Sequence, residues 1–279
     1  MIRIRGVMIL GAIVGDMCGS LYEFGYSTKG PMKEYDFPLF SEGSVFTDDS
    51  VMTLAVADAL LKSYAEGNQP VSYALVESMR ELGRRYPRAG YGGRFMNWLE
   101  SPIAHPRPYL SFGNGSGMRV SPVGWAFDTL GEVELVAAES AKVTHNHPEG
   151  IRGAQAIAAC VLLARQGKGK QQIREYVRER FGYALDFAID ELRPTYTFDV
   201  TCQGSVPQAI TAYLESTSFE DAIRRAVSLG GDADTIGAMA ASIAQAEYGV
   251  PEEIEAEARK RLPADLLAVN DRFCERYLG

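Results

Sequence analysis

Two short acidic motifs carry residues that could bind metal ions. Each motif precedes an apolar helical pattern. The first contains Thr47, Asp48 and Asp49, and the second contains Asp232, Asp234 and Thr235. Neither motif contains Lys or Arg, and buried carboxylates without a partner are costly unless a cation compensates them. Hard oxygen ligands of this kind suit Mg²⁺, Mn²⁺ or Ca²⁺ and not zinc. If the motifs meet in space, four carboxylates and two hydroxyls could form a two-metal site.

Helix capping is the competing interpretation of the same motifs. Asp and Thr are favoured at the N-cap, and negative charge there suits the helix dipole. One acidic residue per helix would be fully explained in this way. Two acidic residues within one turn, found twice, are harder to explain by capping, so both interpretations stay open from these residues alone.

A glycine-rich segment, GNGSGMR over residues 113–119, could hold a diphosphate. Glycines let a backbone approach a ligand closely and let successive N–H groups point one way. The segment matches neither a Walker P-loop nor the dinucleotide fingerprint. Ser116 does not stand in a G-x-S-x-G elbow. A plain turn is the alternative.

Two further places carry groups that could contact a ligand or transfer a proton. The segment 144–149 holds two of the three histidines, His145 and His147, whose roles as metal ligand, general base or structural hydrogen bonder stay open. Glu23 follows Gly15 and Asp16 and lies between aromatic residues. Apolar surroundings would raise its carboxyl pKa and suit it to acid–base work, although a surface glutamate would look the same.

Helical periodicity dominates the rest of the chain and predicts an all-α fold, a single-domain helical bundle over residues 1–279. Strict alternation, which would indicate strands, is scarce. The stretch from Arg84 to Pro122 is dense in Gly, Pro, Asn and aromatic residues, and is predicted to be an ordered binding loop. The predicted helices span 47–66, 132–143, 148–166, 171–180, 218–228, 236–248, 252–261 and 263–277.

Composition limits the classes of partner. The 279 residues include 28 Lys and Arg against 36 Asp and Glu, a net charge of −8, without a long basic patch. This disfavours binding to nucleic acid or to an anionic membrane. The four cysteines are too sparse for a disulfide scaffold and match no zinc spacing. Arg3, Arg5 and the apolar run 7–14 mimic a signal peptide, but Asp16 follows at once without a cleavage site. We therefore expect a cytoplasmic monomer without membrane spans.

These motifs, in this order, resemble those of the ADP-ribosylglycohydrolase family. The matching strings span residues 11–249 and are GAIVGDMCGSLYEF, FTDDSVMTLAVADALL, SFGNGSGMRVSPVGWAFD, THNHPEGIRGAQAIA and SLGGDADTIGAMAASIAQAEYG. The resemblance implies an all-α bundle with a dinuclear centre of two Mg²⁺, or Mn²⁺ in some members. It also implies a hydrolase that cleaves the glycosidic bond between ADP-ribose and an acceptor.

The resemblance also implies roles for individual residues. The implied metal ligands are Thr47, Asp48, Asp49, Asp232, Asp234 and Thr235. The implied substrate-binding residues are Glu23, Asn114, Gly115, Ser116, Gly117, Met118 and His145. Glu23 and Asp49 are implied as the catalytic residues, either of which could deprotonate the water that attacks the anomeric carbon. No role follows for His147.

The leaving group and the activity leave alternatives open. Segments 29–40 and 84–110, where a leaving group would be recognised, match no pattern of known specificity. The acceptor could be arginine, serine, a nucleobase or a small molecule such as acetate in an acetylated ADP-ribose. A non-catalytic ADP-ribose-binding or structural member of the same fold is the main alternative, although loss of a ligand aspartate would be expected there and none is lost. An unrelated phosphohydrolase would release phosphate or AMP instead.

Overall fold

The computed structural model of the protein describes residues 9–23, 33–65, 67 and 69–277. These ranges are helical without a strand, and their extended pairing is one isolated antiparallel bridge between Gly113 and Thr201. The predicted all-α class is confirmed. The helices are α1 (Leu10–Gly19), α2 (Asp48–Leu60), α3 (Val71–Arg85), α4 (Gly93–Glu100), α5 (Gly115–Met118), α6 (Ser121–Ala126), α7 (Leu130–Lys142), α8 (Pro148–Arg165), α9 (Lys170–Phe181), α10 (Ile189–Leu192), α11 (Cys202–Glu215), α12 (Phe219–Val227), α13 (Ala233–Tyr248), α14 (Glu252–Arg261) and α15 (Ala264–Tyr277).

Most predicted helix ends are correct to within a few residues because capping residues mark them. Thr47 caps α2 by accepting a hydrogen bond from the N–H of Asp49, and a π-helical turn, Leu61–Ala65, continues that helix. Residue 66 lies outside the described ranges, and Gly67 follows at a φ of 66°. Ser218 caps α12 in the same way, with its hydroxyl 3.1 Å from the N–H of Asp221.

The prediction of one long loop from Arg84 to Pro122 is wrong in part, because the segment contains α4 and α5. Helix α4 buries Phe95, Trp98 and Leu99, which stand at positions i, i+3 and i+4. This is helical spacing, but a two-turn helix between glycine- and proline-rich flanks is too short for its periodicity to stand out. The sequence analysis also assigned no boundaries to five further helices, which are α1, α3, α6, α10 and α11.

Helix α13 is buried along most of its length and crosses α1 in very close contact. A Cβ atom added at Gly15 would lie 2.2 Å from the carbonyl oxygen of Gly237. One added at Gly19 would lie 2.4 Å from the Cα atom of Asp234. Only glycine allows two backbones to approach so closely. The contact brings Asp16 of α1 to the N-terminal end of α13.

Substitution of Gly15 by alanine is expected to destabilise the protein by about 1–3 kcal/mol or more, because the added methyl group meets backbone and not a side chain that could rotate away. Gly131→Ala on α7 is the matched control, since a Cβ atom there has nothing within 4 Å. That control should leave the free energy of unfolding unchanged or slightly raised. Equal urea midpoints for the two variants would contradict the close contact.

The buried apolar side chains form one connected cluster to which every helix from α1 to α15 contributes. This agrees with a single domain, whose extent over residues 1–279 stays a prediction. Within the described ranges, no helix combines the length and apolar character needed to cross a lipid bilayer.

Candidate active site

A cavity of about 440 Å³ gathers most of the predicted site residues in one place. Its size falls within the range of about 300–1,000 Å³ that small-molecule sites occupy. The residues come from the turn after α1, the start of α2, α5 and the residue before it, the connection between α7 and α8, and the start of α13. The predicted residues that line it are Glu23, Asp48, Asp49, Asn114, Gly115, Met118, His145, Asp232, Asp234 and Thr235.

Carboxylates at this cavity form two adjacent groups of three. Oxygen atoms of Asp16, Asp49 and Asp234 lie within 4.8 Å of one another, and so do those of Glu23, Asp232 and Asp234. Asp234 belongs to both groups, so the two acidic motifs meet at its carboxylate. Each of the two groups could hold a cation.

The electrostatics of the cluster fit a hard divalent cation. Burial raises the pKa of every carboxyl in it: that of Asp16 to about 6 and that of Glu23 to about 8, while those of Asp49 and Asp234 lie well above their usual range. Repulsion between neighbouring carboxylates adds to the effect of burial at Glu23, Asp49 and Asp234. The Oδ1 atom of Asp49 is fully buried and has no hydrogen-bond partner in the described part of the chain. Such an oxygen among like charges is the environment that Mg²⁺ or Mn²⁺ would stabilise.

The remaining residues of the two motifs take different positions. Asp48 lines the cavity but belongs to neither group of three. Thr47 does not line the cavity; its hydroxyl donates to Oδ1 of Asp16 at 2.8 Å. The hydroxyl of Thr235 donates to Oδ2 of Asp49 at 3.2 Å. Both threonines therefore hold carboxylates of the cluster, and their role as metal ligands stays a prediction.

Asp16 is the member of the cluster that sequence reasoning did not assign to it. Its carboxylate accepts hydrogen bonds from the backbone N–H groups of Thr47 at 2.8 Å and Ser50 at 3.1 Å, and from both of their hydroxyls. It thus fixes the N-terminus of α2 against α1. The available signal was a single aspartate inside an apolar, glycine-spaced helix.

Asn114, predicted to bind substrate, is tied to the acidic cluster. Its side-chain amide nitrogen donates to Oδ2 of Asp232 at 2.6 Å and to the hydroxyl of Ser205 at 3.0 Å. Its backbone N–H donates to the carbonyl of Val200 at 2.8 Å. The residue therefore holds the glycine-rich segment beside the carboxylates.

Only part of the glycine-rich segment is available to a ligand. The N–H groups of Gly113, Gly117 and Met118 donate within the segment or to the residues just before it. Those of Gly115 and Ser116, in the first turn of α5, have no acceptor in the ranges described. The Ser116 hydroxyl donates to a carbonyl of α8 at 2.7 Å, and Gly117 packs on α13. Neither residue lines the cavity, so side-chain contacts by Ser116 are not available.

His145 reaches the cavity but is otherwise buried, with 6% of its surface exposed. Burial lowers the pKa of its imidazole well below the usual range, and the charges of Arg119 and Arg94 lower it further. The ring is therefore neutral near pH 7. Its centroid lies 5.9 Å from that of Tyr109, whose ring in turn carries the guanidinium of Arg94 at 5.0 Å.

His147, whose role stayed open, caps α8. Its Nδ1 accepts a hydrogen bond from the N–H of Glu149 at 3.1 Å. The half-buried ring packs edge to face on Phe112 at 5.4 Å. A structural role follows.

Several lining residues escaped sequence reasoning because each is a lone side chain in a segment without periodicity. Arg94 opens α4, and Tyr109 and Ser111 precede the glycine-rich segment. Phe198 and Val200 line the cavity from the segment that pairs with residues 112–114, and each has about half of its surface exposed. Of the two segments predicted to recognise a leaving group, 84–110 contributes here, whereas 29–40 begins outside the described residues.

The metal-free protein is expected to lose stability as the pH rises from about 4 to about 8. The pKa values of Asp16 and Glu23 are higher in the folded chain than their usual 3.8 and 4.5, so the folded state binds these protons more tightly. The penalty is absent when both groups are protonated and appears as each ionises. For Asp16 a shift of about two pH units corresponds to about 3 kcal/mol.

Urea unfolding of EDTA-treated protein at about pH 5 and about pH 8 would measure this loss. Saturating Mg²⁺ should remove most of the difference, because the cation stabilises the ionised carboxylates. Equal stability of the metal-free protein at the two pH values would contradict the clustering of buried carboxylates.

Comparisons with known proteins relate the chain to one family. A sequence model of the ADP-ribosylglycohydrolase family matches residues 2–278. ADP-ribosylhydrolase ARH3 of Bos taurus is 26% identical, over 95% of this chain and 91% of its own. The ADP-ribosyl-dinitrogen-reductase glycohydrolase of Rhodospirillum rubrum is 29% identical, over 93% of this chain and 94% of its own. An ADP-ribosylarginine hydrolase of Pseudomonas putida is 27% identical, over 91% and 73%. Among solved structures, an ADP-ribosylglycohydrolase-related protein complex shares the fold, with a TM-score of 0.67 and 23% identity. The match covers 97% of this chain and 94% of the chain in that structure.

Proposed function

The chain belongs to the ADP-ribosylglycohydrolase family, whose members are hydrolases that act on glycosyl bonds, and from that premise we propose that it releases ADP-ribose from an acceptor in a reaction that requires divalent metal ions. The observation that carries the proposal is the cavity itself, where a carboxylate cluster with an orphaned Asp49 oxygen meets a neutral histidine and a glycine-rich segment. We further propose that the protein acts as a cytoplasmic monomer and binds no nucleic acid.

Two Mg²⁺ ions, or Mn²⁺, are proposed for the carboxylate cluster. Their ligands would come from the six motif residues, with Asp234 at the point where the two groups of carboxylates meet. When bound, such ions hold ribose hydroxyls and lower the pKa of a water molecule. The Thr235 hydroxyl holds the Asp49 carboxylate, and Asp16 holds the start of α2, which carries Asp49, by accepting from the N–H groups of Thr47 and Ser50.

Glu23 is proposed to move a proton at the reacting bond. Its pKa of about 8 in the metal-free protein, which burial and Asp232 cause, means that it can carry a proton near neutral pH. A group with this property can give a proton to a departing acceptor or take one from an attacking water. Asp49 is the second catalytic residue proposed, because its Oδ1 atom is committed to no hydrogen bond in the described chain.

The part of the cavity beside the glycine-rich segment is proposed to bind the diphosphate and the distal ribose. An anion needs hydrogen-bond donors, and the N–H group of Gly115 and the ring of His145 offer them at the cavity wall. The N–H group of Ser116, which also has no acceptor in the described ranges, follows in the same turn of α5. Arg94 and Arg119 line the same cavity and supply positive charge. Binding energy from the diphosphate and the distal ribose, which do not react, helps to fix the geometry at the glycosidic bond.

Mass-spectrometric detection of free ADP-ribose tests the proposal. Arginine-, serine- and acetyl-linked ADP-ribose would each be incubated with the protein in Mg²⁺, in Mn²⁺ and in EDTA. The arginine linkage comes first, because the relative from Pseudomonas putida is named for it. We expect metal-dependent release from at least one linkage.

The other outcomes of this experiment separate the alternatives. Binding of ADP-ribose without release from any linkage would favour a non-catalytic binding protein. Release of inorganic phosphate or AMP in place of ADP-ribose would contradict the proposed bond. Undiminished release in EDTA would contradict the role of the carboxylate cluster as a metal centre.

A further inference from the structure

Three buried polar side chains form a continuous chain that ends at the cavity. The Nη2 atom of Arg119 donates to the hydroxyl oxygen of Thr144 at 2.8 Å and to the carbonyl of Ser140 at 2.9 Å. The Thr144 oxygen lies 2.7 Å from Nδ1 of His145. Arg119 is 1% exposed and Thr144 is fully buried, so water does not compete for these hydrogen bonds.

The direction of each hydrogen bond in this chain follows from chemistry. A guanidinium group has donors and no acceptor, so Thr144 accepts from Arg119. Within the described ranges, the hydroxyl proton of Thr144 has one acceptor, Nδ1 of His145. Buried hydroxyl protons are rarely left without an acceptor. The Nδ1 atom of His145 therefore accepts, and in the neutral ring the proton is on Nε2.

The Nε2 atom faces the glycine-rich segment and the cavity. A Cβ atom added at Gly115 would lie 3.1 Å from it, and one added at Gly113 would lie 3.6 Å from it. It forms no hydrogen bond with any described residue, while the ring lines the cavity. An N–H donor without an acceptor in the described ranges therefore lies beside Gly115 at the wall of the cavity.

We propose that Arg119 and Thr144 are positioning residues, which hold His145 as a fixed Nε2–H donor to a ligand oxygen beside Gly115. The ligand, a phosphate or hydroxyl oxygen of ADP-ribose, rests on the proposed function. The position of the ring proton does not depend on it. Arg119 would act on His145 through Thr144, to which its Nη2 atom donates, in addition to the positive charge that it supplies at the cavity.

Nitrogen-15 NMR of the imidazole rings tests the position of the proton directly. The chain has three histidines, and the loss of one signal set in His145→Gln assigns the ring. The wild-type protein, free of ligand, is expected to show a protonated Nε2 and an unprotonated, hydrogen-bonded Nδ1. A proton on Nδ1 would overturn the proposal.

Removal of the Thr144 hydroxyl tests its effect on binding. Thr144→Val should shift the Nδ1 signal towards that of a nitrogen without a hydrogen bond. It should also weaken binding of ADP-ribose in Mg²⁺ by about tenfold, as expected for the loss of one well-placed hydrogen bond. KM should rise with little change in kcat, and Thr144→Ser, which keeps the hydroxyl, should restore both the spectrum and the affinity.

Thr211→Val is the matched control for this substitution. Thr211 is also fully buried, and its hydroxyl has no hydrogen-bond partner in the described part of the chain. The control makes the same exchange of a hydroxyl for a methyl group in the interior without touching His145. Equal ADP-ribose affinities for the Thr144 and Thr211 variants would overturn the positioning role.

The two proposals fail in different ways. If the wild-type protein does not bind ADP-ribose, the proposed function is contradicted, and the ligand-free NMR spectra still decide where the His145 proton lies. If ADP-ribose binds and is released from an acceptor but Nδ1 carries the proton, the function stands and the positioning role is overturned.

Discussion

Replacement of Asp49 by asparagine is expected to reduce ADP-ribose release by at least about 10³-fold. Bound divalent cations stabilise charge in a transition state by several kcal/mol, and about 4 kcal/mol corresponds to a thousandfold in rate. Within the carboxylate cluster, Asp49 carries a fully buried oxygen, Oδ1, that has no hydrogen-bond partner in the described part of the chain. An amide in its place keeps the shape but loses the charge that holds a cation. Asp49→Ala should abolish turnover as well.

Asp49→Asn is also expected to stabilise the protein when no metal is present. Burial and the charges of Asp16, Asp48 and Asp232 raise the pKa of the Asp49 carboxyl. A neutral amide removes that repulsion, so the metal-free variant should unfold at a higher temperature than the metal-free wild type at about pH 8. Added Mg²⁺ should stabilise the wild type strongly and the variant weakly. The ranking of the two proteins should thus reverse between EDTA and Mg²⁺.

Asp186→Asn is the matched control for this prediction. The Asp186 side chain is 64% exposed and pairs with Arg178 at the surface, where an ion pair contributes little. Its loss should change neither the rate nor the response to Mg²⁺. If the Asp49 variant gained as much stability from Mg²⁺ as the wild type, Asp49 would not be a metal ligand.

The helical fold was predictable wherever the sequence carries its own end signals. Thr47 and Ser218 cap their helices with their side chains, and Gly67 ends a helical pattern with the positive φ that glycine tolerates. These are local effects, so a single sequence contains them. Helix α4 escaped because its stability comes from burial of Phe95 and Trp98 against other elements, which local propensity does not register.

The candidate site was likewise predictable only where its residues carry a local signal in the sequence. Two carboxylates within one helical turn are unusual enough to mark Asp49 and Asp234, and the structure brings both into one cluster. Asp16 carries no such local signal, because what places it there is the glycine contact between α1 and α13. A contact between distant segments can be read from a sequence only when the partner is already known.

Replacement of Glu23 by glutamine is expected to lower kcat by about 10²- to 10⁴-fold, the usual contribution of a positioned acid or base. Binding of ADP-ribose should change by no more than a few-fold, because the amide keeps the size of the side chain. A group that transfers a proton also makes the activity depend on pH. If Glu23 donates a proton, activity falls as the pH rises through its pKa. If it accepts one, activity falls as the pH decreases through it. Whichever of these two pH dependences the wild type shows should be absent from Glu23→Gln.

The comparison with Asp49 decides whether Glu23 transfers a proton or mainly holds a cation. Glu23 lies with Asp232 and Asp234 in one of the two carboxylate groups, so both roles are open to its position. A proton-transfer role requires that Glu23→Gln keep most of the stabilisation by Mg²⁺, which Asp49→Asn should lose. Glu42→Gln, at an exposed position, controls for the general effect of removing one charge. Loss of the Mg²⁺ response in Glu23→Gln to the same degree as in Asp49→Asn would instead identify Glu23 as a ligand, and the proton would have to move through another group of the cavity.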